Sequence, residues 1–166
     1  MASGEFRMTN LPESTEGANV PIRDSEFDIR NSIEVSAGLV FRSGQLLITQ
    51  RPVGGHLAGL WEFPGGKREA GESFEECLRR ELQEELGVDV RVHEELERIT
   101  HSYPEKTVHL RFFRCTLAEA NAEPRAIGCQ AVAWVTRETL KDYAFPAADA
   151  RLLEMLKAKT SLWQSA

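Results

Sequence analysis

Glu81, Glu84 and Glu85, with Arg80 beside them, close a segment that reads GKREAGESFEECLRRELQEELGV (66–88). Glycines bracket it at Gly66 and Gly87, and Glu72 stands between them. If the segment is helical from Phe74, its carboxylates do not all face water. At 100° per residue with Phe74 at 0°, Cys77, Leu78 and Leu82 fall at about 300°, 40° and 80° and define an apolar stripe. Glu75, Glu76 and Gln83 fall between about 100° and 200°, on the water side. Glu81 at about 340° and Glu85 at about 20° fall inside the stripe, with Glu84 beside them at about 280°. Two carboxylates roughly 4 Å apart repel by about 4 kcal/mol at an effective dielectric near 20. A bound cation removes that cost. Oxygen-only ligands select a hard ion, Mg²⁺ or Mn²⁺, over zinc, and such an ion suits work on a pyrophosphate.

The elements that must hold these residues are legible around them. Ser73 and Glu76 form a capping-box pattern, and Gly87 is the expected glycine just past the helix end. Ahead of the helix, IEVSAGLVF (33–41) and QLLITQ (45–50) read as strands joined by a turn at Ser43-Gly44. Residues 51–72, rich in Gly and Pro, read as loop. Strand-like runs follow at 88–99, 107–117 and 131–135, then a short helix over 136–143 and a closing helix over 147–159. Strands interspersed with helices give an α/β fold class. Residues 1–31 are polar and aperiodic and read as an N-terminal tail, with one domain over 32–166.

The chain has 166 residues, 42% hydrophobic and 28% charged, as expected of one soluble globular domain. Its net charge of −6 argues against stable nucleic-acid binding, which relies on Lys and Arg. Cys77, Cys115 and Cys129 are an odd count with no CxxC pair, which argues against a disulfide framework or a zinc site. No apolar run is long enough to span a membrane, and the N-terminus lacks a signal-peptide layout, so a cytoplasmic location is expected.

Gly66, Glu72 and Arg80-Glu81-Leu82-Gln83-Glu84-Glu85-Leu86-Gly87-Val88 together resemble a complete Nudix box. The resemblance extends over roughly residues 33–158. LWEFPGGK (60–67) is similar to the loop ahead of the box in MutT-type nucleoside triphosphate pyrophosphohydrolases, and FPAAD (145–149) to their base-contacting segment. It implies a Nudix fold, an α/β/α sandwich around a mixed sheet. It also implies metal-dependent hydrolysis of a (deoxy)nucleoside triphosphate, including oxidised or otherwise modified ones such as 8-oxo-dGTP, to a monophosphate and pyrophosphate. By the same resemblance Glu81 and Glu85 are metal ligands, and the Gly65 carbonyl is a further candidate. Glu84 is a ligand or a water-activating group, Arg80 orients a neighbouring glutamate, and Glu72 has a supporting role.

Substrate contacts carried over from the family fall on Arg51, His56, Glu62, Phe63, Lys106 and Asp149. All but Glu62 have a plainer alternative. Arg51 would close a strand, His56 and Lys106 would be solvated loop residues, Phe63 would be core, and Asp149 would cap the closing helix. An ionised Asp149 accepts hydrogen bonds only, which suits a base edge that presents donors. One departure concerns Gly128, where relatives often carry a glutamate that serves as metal ligand or base. Glu84 or Glu123 would then have to substitute.

Two other functions compete. An RNA 5′-pyrophosphohydrolase would need a basic track for the strand, and this acidic chain shows none. A non-catalytic Nudix-like binding module, as in adenine glycosylases, typically lacks the acidic box that is intact here. The expected partner is therefore a small nucleotide substrate, with the protein a monomer or a homodimer.

Overall fold

Side chains alternate between two cores along the central strands, as period-two geometry requires. In the computed structural model, which describes residues 32–55, 57–102, 104 and 106–164, β1 (Ser32–Arg42) sends Leu39 and Phe41 to one side and Val40 to the other. β2 (Gln45–Gln50) does the same with Leu46 and Ile48 against Leu47. The tail at 1–31 and His56 lie outside the described residues.

Among the described residues the sheet has seven strands. β3 (Trp61–Glu62), β2, β1, β6 (Thr107–Leu117) and β5 (Val90–Ser102) form its main path, β4 (Gly65–Lys67) joins β1, and β7 (Ala131–Val135) joins β2. β1 runs parallel to β6, and the other pairings are antiparallel, so the sheet is mixed. One helix, α1 (Phe74–Leu86), covers one face with Leu78, Leu82 and Leu86 fully buried. Each such leucine contributes about 2 kcal/mol by leaving water. Helices α2 (Ala150–Ala158) and α3 (Ser161–Gln164) cover the other face with Leu152, Leu156, Leu162 and Trp163. This is the expected α/β/α sandwich. Among the described residues no helix is long and apolar enough to cross a membrane.

One edge of β1 is shared, and that sharing makes room for a site. Its later part pairs with β2 at Phe41↔Leu46, while its earlier part pairs with β4 at Ala37↔Gly65 and Ser36↔Gly66. The Gly38 amide reaches the Pro64 carbonyl at 2.8 Å, where the two partners diverge. Only glycine fits at 65. Its φ is 152°, and a Cβ there would lie 2.0 Å from the Ser36 carbonyl oxygen.

Several sequence expectations are corrected here. The loop expected at 51–72 contains β3 and β4. The helix expected over 136–143 is only a 3₁₀ turn at Leu140–Asp142. Thr136 and Thr139 bond each other's backbone amides through their hydroxyls, which competes with helical bonding. The strand expected at 88–99 begins at Val90 and runs to Ser102. The closing helix begins with a 3₁₀ turn at Ala147–Asp149, and α3 follows it unannounced.

Candidate active site

α1 is fixed at both ends by the residues its sequence advertised. The Ser73 hydroxyl accepts from the Glu76 amide at 3.1 Å, and the Glu76 carboxylate accepts from the Ser73 amide at 2.8 Å. Gly87 ends the helix in the left-handed region at φ 66°, its amide donating to the Gln83 carbonyl. Between these caps the helix lays Cys77, Leu78, Leu82 and Leu86 into the core. Glu81 and Glu85 are partly buried beside them, whereas Glu84 is exposed.

β4 brings its glycines under these carboxylates. A Cβ on Gly66 would lie 2.2 Å from the Glu81 carboxylate carbon, so the carboxylate occupies the space a side chain would need. The amide of Gly65 faces the Glu85 carboxylate. Burial, with Glu81, Glu62 and Glu84 nearby, nevertheless pushes Glu85 up to about 7.

Arg80 organises the other side of the cluster. Its guanidinium donates to Glu72 at 2.5 and 3.1 Å, to Glu81 at 2.9 Å, to Glu84 at 3.4 Å and to the Lys67 carbonyl at 3.1 Å. The hydrogen bonds from Arg80 hold Glu72 down at about 2. Glu72 therefore anchors Arg80, and Arg80 orients Glu81.

A second group lies towards β3 and the turn before α2. Arg51 pairs with Glu62 at 2.6 Å. Burial raises the Glu62 carboxyl, with Arg51 pulling the other way. Asp149 is 8% exposed and is pushed up to about 6 by burial and then by Glu62. Its side chain makes no capping bond to α2, so the capping alternative does not hold. Phe63 takes the core role, 6% exposed and stacked on Phe145 with centroids 5.1 Å apart. The half-buried Phe145, not Phe63, is the more open member of this wall.

The structure does not gather every candidate. Lys106 adjoins the Ser32↔Thr107 pair, five register positions from Ala37↔Phe112 beside Gly65, a separation of about 17 Å along the strand. Glu123 binds Arg42 at 3.1 Å with its side chain 74% exposed. Gly128 does reach the cluster, as a backbone: a Cβ there would lie 3.2 Å from Glu85 Cα. Sequence reasoning passed over Cys129, whose thiol is raised by burial and by Glu85 and Glu62. Its place next to Gly128 was the available signal.

Among the described residues no three carboxylate, imidazole or thiol groups converge as a ready-made metal cage. The donor set nonetheless fits a hard divalent ion. Glu81, Glu84 and Glu85 supply oxygen from adjacent turns of α1, and Glu85 is half-buried among like charges that a cation would compensate.

Comparison with known proteins agrees with this arrangement. Residues 36–155 match the family model described as NUDIX domain. The chain is 39% identical over 129 residues to an 8-oxo-dGTP diphosphatase of Haemophilus influenzae, covering 77% of this chain and 93% of that one. It is 36% identical over 126 residues to a CTP pyrophosphohydrolase of Escherichia coli, covering 76% and 92%. The solution structure of the E. coli ORF135 protein superposes with a TM-score of 0.67 at 36% identity, over 77% of this chain and 90% of that chain.

Proposed function

The chain belongs to the NUDIX family, and from that premise we propose that it hydrolyses nucleoside triphosphates to a monophosphate and pyrophosphate. The observation that carries this reading is the meeting of Glu81 and Glu85 with the Gly65-Gly66 backbone, where acids crowd on the inward side of a helix. The names of the Haemophilus and E. coli relatives support a nucleotide triphosphate as the substrate, with oxidised guanine and cytosine nucleotides as the first to try. Cytoplasmic nucleotide pools are the matching location.

Glu81, Glu84 and Glu85, with the Gly65 carbonyl, would hold Mg²⁺ or Mn²⁺. When bound, that ion supplies charge neutralisation at the phosphates and a water of lowered pKa. The protein's own groups do the rest. Arg80 keeps the Glu81 carboxylate turned to one side through its 2.9 Å bond, and Glu72 keeps Arg80 in place. Glu84, exposed and held by Arg80 only at 3.4 Å, is the carboxylate placed either to complete the metal's ligands or to accept a proton from attacking water. Arg51 and Glu62 fix the rim of the base pocket by their ion pair. Asp149 presents a buried carboxyl there that reads the base edge, accepting when ionised and donating when protonated.

A malachite-green screen of unmodified and modified nucleoside triphosphates tests the reading. Orthophosphate should appear only when inorganic pyrophosphatase is added. Silence on every substrate with both Mg²⁺ and Mn²⁺, or orthophosphate without the coupling enzyme, would sink it.

A further inference from the structure

The irregular segment 118–130 crosses the end of α1, and its hydrogen bonds there are made by backbone. The last-turn carbonyls of a helix have no partner within it. Here the strap supplies partners: the Arg125 amide donates to the Leu86 carbonyl at 3.0 Å, and the amides of Ile127 and Gly128 both donate to the Glu85 carbonyl at 3.0 Å. Two glycines permit the approach. A Cβ on Gly87 would lie 3.1 Å from Ile127 Cδ1, and a Cβ on Gly128 would lie 3.2 Å from both Cα and Cγ of Glu85. Away from the helix the strap is tied down independently. Arg42 donates to the Ala122 carbonyl at 3.0 Å and to Glu123 at 3.1 Å, with its guanidinium 4.2 Å from the Trp134 ring centroid. The Gln130 amide reaches the Gln50 carbonyl at 2.8 Å.

We propose that this strap is a positioning element for Glu85. Its two amides hold the Glu85 carbonyl, and the bare Cα of Gly128 sets the path of the side chain. The inference deepens the proposed function, resting on Glu85 as a metal ligand. A carboxylate crowded by Glu81 and Glu62 is driven to swing away, and a helix end is where backbone frays most easily. Productive metal geometry tolerates deviations of only about 0.5 Å. Clamping the Glu85 carbonyl from two amides removes backbone freedom, and the closeness of Gly128 to Glu85 Cα and Cγ removes freedom about the Cα–Cβ bond. Gly128 is thus a spacer whose lack of a side chain is its contribution.

The test is titration of the full chain with Mn²⁺ alone, by calorimetry and by the Mn²⁺ paramagnetic resonance signal, beside steady-state kinetics. Gly128→Ala should bind Mn²⁺ about tenfold more weakly and lower kcat by a similar factor, with KM for nucleotide within about threefold. Adding Gly128→Ala to Glu85→Gln should cost no further Mn²⁺ affinity, because the glycine acts through that one side chain. A general loss of structure would instead add to it. If Gly128→Ala does not fold, Arg42→Ala, which loosens the strap at its far anchor, is judged by the same criteria. Mn²⁺ affinity and kcat within twofold of the parent, or additive losses in the double variant, would overturn the proposal. A parent chain that binds Mn²⁺ but hydrolyses no triphosphate would overturn the proposed function alone. A parent that binds no Mn²⁺ would overturn both.

Discussion

The Glu81 carboxylate lies directly against the α-carbon of Gly66, where a methyl group would come within 2.2 Å of it. The contact joins a strand backbone to the flexible far end of a side chain. Adding a methyl group at 66 therefore displaces the carboxylate more readily than it disturbs the fold.

Gly66→Ala should lower kcat/KM by about 10²-fold, the effect of a misplacement near 1 Å, with a melting temperature close to that of the parent. Kinetics and thermal unfolding on the same preparation check both halves. Gly65→Ala is the contrast. Its Cβ would meet the Ser36 carbonyl, so it should fail in folding as well as in activity.

Glu85→Gln should abolish turnover and at the same time raise stability near pH 8. In the folded protein this group is pushed up to about 7 by burial and by Glu81 and Glu62, so its charged form is the unfavourable one. The neutral isostere relieves that repulsion. Chemical unfolding at pH 8 without divalent metal should give a higher midpoint for the variant, and an equal or lower one would contradict the electrostatic reading.

Arg80→Ala should reduce activity by about 10–100-fold, the usual cost of losing a residue that orients a ligand. Glu72→Gln should act in the same direction and more weakly, since it removes only the anchor of Arg80. Lowered affinity for Mn²⁺ in both variants, with the Arg80 variant the worse, is the expected titration result.

Asp149 gives a pH signature separable from catalysis. Its folded value, about 6, lies above the free-chain 3.8. The folded protein thus holds this proton longer than the unfolded chain does. The stability it contributes is full below pH 3.8, falls as pH rises to about 6, and is level above that. The span corresponds to roughly 3 kcal/mol at one pKa unit per 1.36 kcal/mol. Urea unfolding of the parent and Asp149→Asn across pH 4 to 8 should show the parent losing ground to the variant over that window. Parallel curves would contradict the assignment.

How much of this was legible in the sequence depended on whether side chains or backbone did the work. α1 declared itself through Ser73, Glu76 and Gly87, and the inward placement of Glu81 and Glu85 followed from helix geometry alone. β3 and β4 did not, because two- and three-residue strands are too short to show an alternating pattern. Residues 136–143 looked helical by composition, and the threonine hydroxyls that redirect their backbone are visible only in three dimensions. The distance of Lys106 from the acidic cluster was not legible because strand register decides which end of the sheet a turn occupies. The strap was least legible of all. Its hydrogen bonds to the helix end come from backbone amides, which every residue except proline possesses, so composition carries no trace of them.

The direction of α1 has a consequence for what can approach the site. A helix carries about half a negative charge at its C-terminal end. Here that end also bears Glu81, Glu84 and Glu85, with no basic residue in the last turn. A bare polyanion meets a repulsive field, while a nucleotide already carrying its counter-ion does not. The helix macrodipole thus adds to the negative field that these carboxylates set up, so this end of the helix favours a cation.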